Sequence, residues 1–318
     1  STLMGLQRYD ITSKINVSIN FLLNIFTILI LYLGAGLKEV IYLNSFSAIF
    51  SFIICYIFLT KQLPLWSFSF KLDKFYFKKL FTFSGFIFIS KVSNLFSNYI
   101  VRFIISFYLG PSAVTYFVVP MKLISAFGGL LSSAFNVIFP YTSELGAEKN
   151  QEKIKKTFIQ ASRYFTSISI PGLLTLFIFS KPILVFWMGE DFASKSWFIL
   201  SALSFSSLIG SLTTVPNLIT MGLGHSKVIG IFSCITTLVY LISLPLLTKL
   251  LGIPGTLTGM IIAVMPGIPL ILYECKYIFY TEIRFYIINI LGLHILTIFI
   301  SFILLGFMTL GFNTHLTY

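Results

Sequence analysis

Runs of apolar residues separated by short polar connections fill almost the whole chain. A helix needs about 20 mostly apolar residues to cross a bilayer. Nine stretches meet that test, at 15–35, 39–60, 80–108, 113–140, 160–180, 196–221, 227–248, 253–273 and 286–310. The predicted fold is therefore all-α: a polytopic membrane bundle of about nine helices. The connections are too short to hold a soluble catalytic domain.

Composition agrees with this pattern. The 318 residues are 57% hydrophobic and 10% charged, and the mean hydropathy of +0.94 excludes an ordinary soluble domain. A net charge of +12 would point to nucleic acid in a soluble protein, but here the distribution matters more than the sum. With residues 1–14 taken as cytoplasmic, the inner segments hold Arg8, Lys14, Lys61, Lys71, Lys74, Lys78, Lys79, Lys149, Lys153, Lys155, Lys156, Arg163, Lys227, Lys276 and Arg284. The outer segments hold Lys38, Lys181, Lys195 and Lys249. Fifteen against four follows the positive-inside rule. It predicts a multi-pass protein of the cytoplasmic membrane with its C-terminus outside, in contact with lipid and not with nucleic acid. Cys55, Cys234, Cys275, His225, His294 and His315 are too scattered for a disulfide framework or a metal site. No metal and no cofactor is expected.

An internal echo organises the chain. Met4-Gly5-Leu6 precedes the first span and Met221-Gly222-Leu223 the seventh, and nearly the same offset brings Gly34 onto Gly252. Six helices separate the copies, which implies parallel repeats about an axis along the membrane normal. Residues 1–60 then read as the last two helices of an N-terminal lobe and 80–273 as a six-helix C-terminal lobe. Between them, 61–79 alternates lysines with Trp66, Phe68, Phe70, Phe75 and Phe77, as an interfacial basic linker does. Residues 274–318 read as an extra C-terminal helix. The echo, with a start at Ser1 rather than Met, predicts about 140 further residues before the first.

Charges inside spans are the candidates for function, because a charge in hydrocarbon costs several kcal/mol unless it meets a partner or water. Lys91, Asn98 and Arg102 share one stripe of the third span, with Asn98 about −20° and Arg102 about +20° from Lys91. Ser84 lies on the same line. On the fourth span Lys122, Ser125, Gly129, Ser133 and Asn136 fall within about 60° of one line. Three cations with no carboxylate at their depth predict a cationic cavity for an anion. Lys91, Asn98, Arg102 and Lys122 are the expected binding residues, with Ser84, Ser125, Ser133 and Asn136 as its lining. Snorkelling of the lysines to the interface is the plainer alternative. Pro120, Pro171, Pro266 and Pro269 are hinge candidates. The ten acidic residues, Glu274 among them, fall in connections or at span ends, so neither a carboxylate-driven antiporter nor membrane-enzyme machinery is visible.

The run from Phe83 to Glu152 carries a resemblance. A helix ending in Tyr108-Leu109-Gly110-Pro111 leads to Ala113-Val114-Thr115-Tyr116, Val119-Pro120-Met121-Lys122, Phe139-Pro140 and Ser143-Glu144-Leu145. Ile170-Pro171-Gly172 and the opening Gly5-Leu6-Gln7-Arg8-Tyr9 fit the same pattern. In this order the motifs resemble the Wzx-type polysaccharide-repeat (O-antigen) flippases of the multidrug/oligosaccharidyl-lipid/polysaccharide exporter superfamily. Asn98 departs from that family, whose helix often carries an acid there. The resemblance implies two six-helix lobes around a cationic cavity, and a non-enzymatic carrier of a polyprenyl-diphosphate-linked oligosaccharide. It implies polysaccharide polymerase and glycosyltransferases as partners. A peptidoglycan-precursor flippase, which also needs a cationic cavity, and a multidrug/cation antiporter of the same superfamily are the alternatives.

Overall fold

Prolines set where the predicted spans are cut. In the computed structural model, which describes residues 9–34, 36–62, 74–148, 150–290 and 292, every described regular element is helical. The helices are α1 (Tyr9–Tyr32), α2 (Leu37–Gln62), α3 (Lys74–Leu109), α4 (Pro111–Phe135), α5 (Ile138–Glu148), α6 (Gln151–Ile178), α7 (Ser180–Met188), α8 (Glu190–Gly222), α9 (Ser226–Leu251), α10 (Ile253–Val264) and α11 (Gly267–Tyr273). A π-helical turn, Glu274–Ile278, and α12 (Ile283–Ile290) follow. A proline supplies no N–H to the carbonyl four residues back and its ring presses on that carbonyl. Pro140 and Pro269 each sit four residues after a break, at Asn136 and Met265, and Pro182 three residues after one at Phe179. The break before Pro182 turns the chain by 71° between α6 and α7. Pro120 and Pro171 lie inside helices that run on through them, whereas Pro266 lies in the gap between α10 and α11 and Pro269 in the first turn of α11.

Among the described residues, seven helical segments are long and apolar enough to cross a membrane, and the bent α6–α7 pair makes an eighth. They correspond to the first eight predicted spans, so the protein is a polytopic helical membrane protein. The ninth, 286–310, lies almost wholly outside the described residues, as do 63–73 of the basic linker. The chain divides into two compact units, Ser1–Asp73 and Lys74–Tyr318. In the first, α1 and α2 leave most described side chains exposed, Phe21, Ile28, Phe46 and Phe52 among them. Such surfaces need lipid or other helices to cover them. In the second, α3 starts at Lys74, six residues before the predicted span.

Two large apolar clusters, beside a smaller one of Leu184, Ala193 and Leu200, hold the second unit. One joins α3, α4, α8, α9 and α10 through Val101, Ile105, Phe117, Ile199, Leu244 and Leu257. The other joins α4, α5, α6 and α8 to the C-terminal turns. There the Phe158 ring stacks on Phe279 at 4.0 Å and on Tyr286 at 5.0 Å, and the Tyr286 hydroxyl donates to the Leu212 carbonyl at 3.0 Å.

In lipid, helices associate by close packing, and small residues permit it. Gly255 and Gly259 form a G-x-x-x-G face on α10 that lies directly on α9. A Cβ at Gly255 would strike the Leu247 carbonyl, and one at Gly259 would sit 3.2 Å from the Leu244 Cα. On α9, a Cβ at Gly230 would come within 3.1 Å of the Phe86 carbonyl of α3. Buried Thr248 and Thr256 hydrogen bond across α9 and α10 at 2.9 Å. Gly255→Leu is expected to lower stability by about 1–3 kcal/mol or to abolish folding, because the obstruction is backbone. Gly85→Ala, where a Cβ meets nothing within 4 Å, should leave it unchanged or raise it by about 0.5–1 kcal/mol. Thermal unfolding of the detergent-solubilised protein checks both.

Candidate functional site

Both breaks caused by Pro140 and Pro269 open onto one pocket of about 490 Å3 in the second unit. Helix α3 contributes Ser90, Asn94 and Ser97, spaced so that all three share a face. Ser132 and Asn136 come from the end of α4, and Thr213, Thr214 and Asn217 from α8. Across the pocket, α9 supplies Ser233, Thr236 and Tyr240, while Pro266 and Gly267 form the floor at the second break. Phe232, Ile229, Leu218, Met221 and Leu270 complete the wall. On α8 and α9 the pocket lies toward the Leu223–His225 turn; the half toward Gly110 and Gly252 is filled by the apolar cluster around Val101 and Phe117.

Among the described residues, no Lys, Arg, His, Asp or Glu lines this pocket. Part of its polar lining is already bonded. Ser90 and Ser233 hydrogen bond to each other at 2.8 Å, and the Asn94 amide donates to the Ser90 carbonyl at 2.8 Å. Thr213, Thr214 and Thr236 donate to carbonyls of their own helices. Asn217 differs: its Oδ1 is cut off from solvent and accepts no hydrogen bond. A buried unpaired amide oxygen costs about 1–3 kcal/mol, so its persistence marks a place where a donor is expected.

The comparisons with known proteins agree with this membrane architecture. A family model described as "Polysaccharide biosynthesis protein" matches residues 5–196, more than half of the chain. The chain belongs to that family. A putative O-antigen transporter of Shigella flexneri is 25% identical over 179 residues, covering 56% of this chain and 42% of that protein. The chain thus matches less than half the length of that relative. No solved structure matches.

In this polysaccharide biosynthesis protein the cations sit beside the pocket. Lys91 and Asn98 are exposed on α3, about 80–100° round the helix from the Ser90–Asn94–Ser97 line. Lys122 is exposed on α4, about 80° from Ser132. Asn98 donates to the Asn94 carbonyl at 2.9 Å. Arg102 is half-buried, its guanidinium 5.6 Å from the Tyr99 ring and its Nε without an acceptor. Ser84 and Ser125 are exposed on the same faces, and exposed Ser133 donates to the Gly129 carbonyl at 2.9 Å. Of the predicted set, Asn136 and Pro266 reach the pocket. Most pocket residues were missed because charges outrank hydroxyls as signals in a membrane sequence. The i, i+4, i+7 spacing of Ser90, Asn94 and Ser97 was the signal that could have found them.

One expectation is corrected. Glu274, placed by the sequence at a span end, is completely buried, because the π-helical turn prolongs the last apolar segment to Ile278. By hydrogen-bond geometry neither carboxyl oxygen has a partner, and the Thr220 hydroxyl is the polar group beside it. Tyr280, just beyond, has the left-handed φ of 49°. π-turns and strained residues recur at functional positions. An ion in such surroundings costs several kcal/mol, so Glu274→Gln should keep the folded yield within about 1 kcal/mol of the parent, and Glu274→Lys should lose it. Detergent-extracted yield and melting temperature measure this; loss with Gln would mean that the carboxylate itself holds the turn.

Proposed function

We propose that the intact protein carrying this chain is a flippase of the cytoplasmic membrane, moving a polyprenyl-diphosphate-linked oligosaccharide repeat unit from the inner to the outer leaflet. The observation that carries the reading is an uncharged, hydroxyl- and amide-lined pocket inside a bundle of membrane-length helices, with lysine-bearing faces of α3 and α4 beside it. The similarity to a putative O-antigen transporter supports it. A glycan needs a wet path through the membrane, whereas its polyprenyl tail can stay in lipid. A diphosphate needs cations, and Lys91 and Lys122 are assigned to hold it in transit, each as a point charge. Arg102, near the outer end of α3, marks the exit. With the positive-inside orientation the Leu223–His225 turn is cytoplasmic, so the pocket lies on the side from which the cargo comes. The step makes and breaks no bond.

A cation antiporter is the poorer fit, because it requires acids in the cavity and Glu274 does not line this pocket. Deleting the full-length gene should cause a diphosphate-linked repeat unit to accumulate on the inner leaflet. Sensitivity to cationic drugs without that accumulation would overturn the reading. Removing one charge-assisted contact costs about 10- to 100-fold in affinity. Lys91→Ala is therefore expected to lower cargo translocation by about that factor with insertion intact. Translocation at the parental rate would remove Lys91 from the site.

A further inference from the structure

We propose that the pocket between α3, α4, α8, α9 and the α10–α11 break is a binding site for uncharged sugar residues, and that it discriminates against sugars carrying a carboxylate. The inference rests on the flippase reading for its biological meaning, and on geometry alone for the binding itself. Three observations converge on it.

The first is charge. None of the pocket's lining residues is acidic, basic or a histidine, so an anionic or cationic ligand would enter without a counter-charge. Desolvating an unpaired ion is far more costly than desolvating a hydroxyl that finds a partner. The second is unused hydrogen-bonding capacity. The Ser97 and Ser132 hydroxyls, the Asn136 and Asn217 amides and the Tyr240 hydroxyl line the pocket, and none of these side chains hydrogen bonds to another described residue. Carboxamides and hydroxyls both donate and accept, which matches sugar hydroxyls, themselves both donors and acceptors. The Asn217 Oδ1, buried and with no donor of its own, leaves that side chain with an unused acceptor at the pocket wall. The third is the apolar remainder. Phe232 and Leu218 add flat or aliphatic surface to the lining, suited to the C–H face of a pyranose ring. At about 490 Å3 the pocket falls within the usual range for small-ligand sites.

The cations lie outside this pocket, so the charged and uncharged parts of a cargo would be recognised on different surfaces. The sugar seated here is then a neutral hexose or N-acetylhexosamine, and a uronic acid is rejected at this position.

The test uses the intact protein in a detergent without a sugar headgroup, with saturation-transfer NMR read from soluble glycosides. Methyl N-acetylglucosaminide and methyl glucoside should receive saturation, and methyl glucuronide about fivefold less or none. Asn136→Ala and Asn217→Leu should each weaken the neutral signal by about fivefold. Asn136 is exposed at the helix break, so that variant stays informative should Asn217→Leu fail to fold. Equal signals from neutral and anionic glycosides overturn the proposal. So does an undiminished signal in Asn136→Ala, or no transfer from any glycoside, which would leave a pocket for water only. Translocation of lipid-linked cargo on the same preparations is scored separately. Glycoside binding without translocation keeps the pocket and removes the flippase; translocation without binding does the reverse.

Discussion

The α3–α9–α10 layer of the second unit depends on backbone meeting backbone at three glycines. Gly255 and Gly259 let α10 lie on α9, and Gly230 lets α9 lie on Phe86 of α3. Hydrophobicity does not hold these helices together in lipid, because lipid tails are as apolar as leucine. Shape has to do it, and only residues without a Cβ allow the carbonyls to approach so closely. The three-helix layer formed in this way is one wall of the pocket. Ser90 and Ser233 hydrogen bond across the same α3–α9 seam, one turn from the Gly230 contact. The polar lining is therefore positioned by the apolar packing beside it.

The prolines finish what the glycines begin. A straight α4 or a straight α10–α11 would bring continuous side-chain walls to the pocket. Pro140 and Pro269 each withhold the N–H that would bond the carbonyl one turn earlier and leave a gap in the helix, at Asn136–Val137 and at Met265–Pro266, where the Met265 carbonyl accepts from the Ile268 N–H instead. A break in a membrane helix is tolerable where protein or water can reach the freed backbone, and not where lipid surrounds it. Both gaps border the polar pocket, where such groups are at hand. The break before Pro182 has a different outcome, a bend of 71° that leads into the short α7.

The sequence displayed the architecture clearly and the pocket poorly. Helix number and order follow from apolar length, which is set by membrane thickness and leaves little choice. Which side of each helix faces protein is harder, because protein interior and lipid are both apolar. Lys91, Asn98 and Lys122 are prominent in the sequence and lie exposed on this unit, whereas Asn94, Asn217 and Tyr240 are inconspicuous among many hydroxyls and amides and line its pocket. Glu274 was misplaced for a related reason. Hydropathy falls at the Glu274-Cys275-Lys276 step, but the π-turn carries the backbone through it and leaves the acid buried, with its neighbours Cys275 and Ile278 in the apolar cluster around Phe158 and Phe279.

A pocket without charge beside exposed lysines has consequences for a carrier that must also exist empty. Cations sunk in a dry cavity would be left unpaired whenever the cargo departs, at a cost of several kcal/mol each. Hydroxyls and amides are less demanding, since water satisfies them at a cost of about 0–2 kcal/mol per ordered molecule. Lysines on exposed faces can move their ammonium groups to wherever water is found along their flexible stems. The loaded and empty states thus stay closer in energy than they would with every recognition group in one buried site. For the proposed translocation that near balance matters more than tight binding, because a site that holds its cargo firmly also retains it.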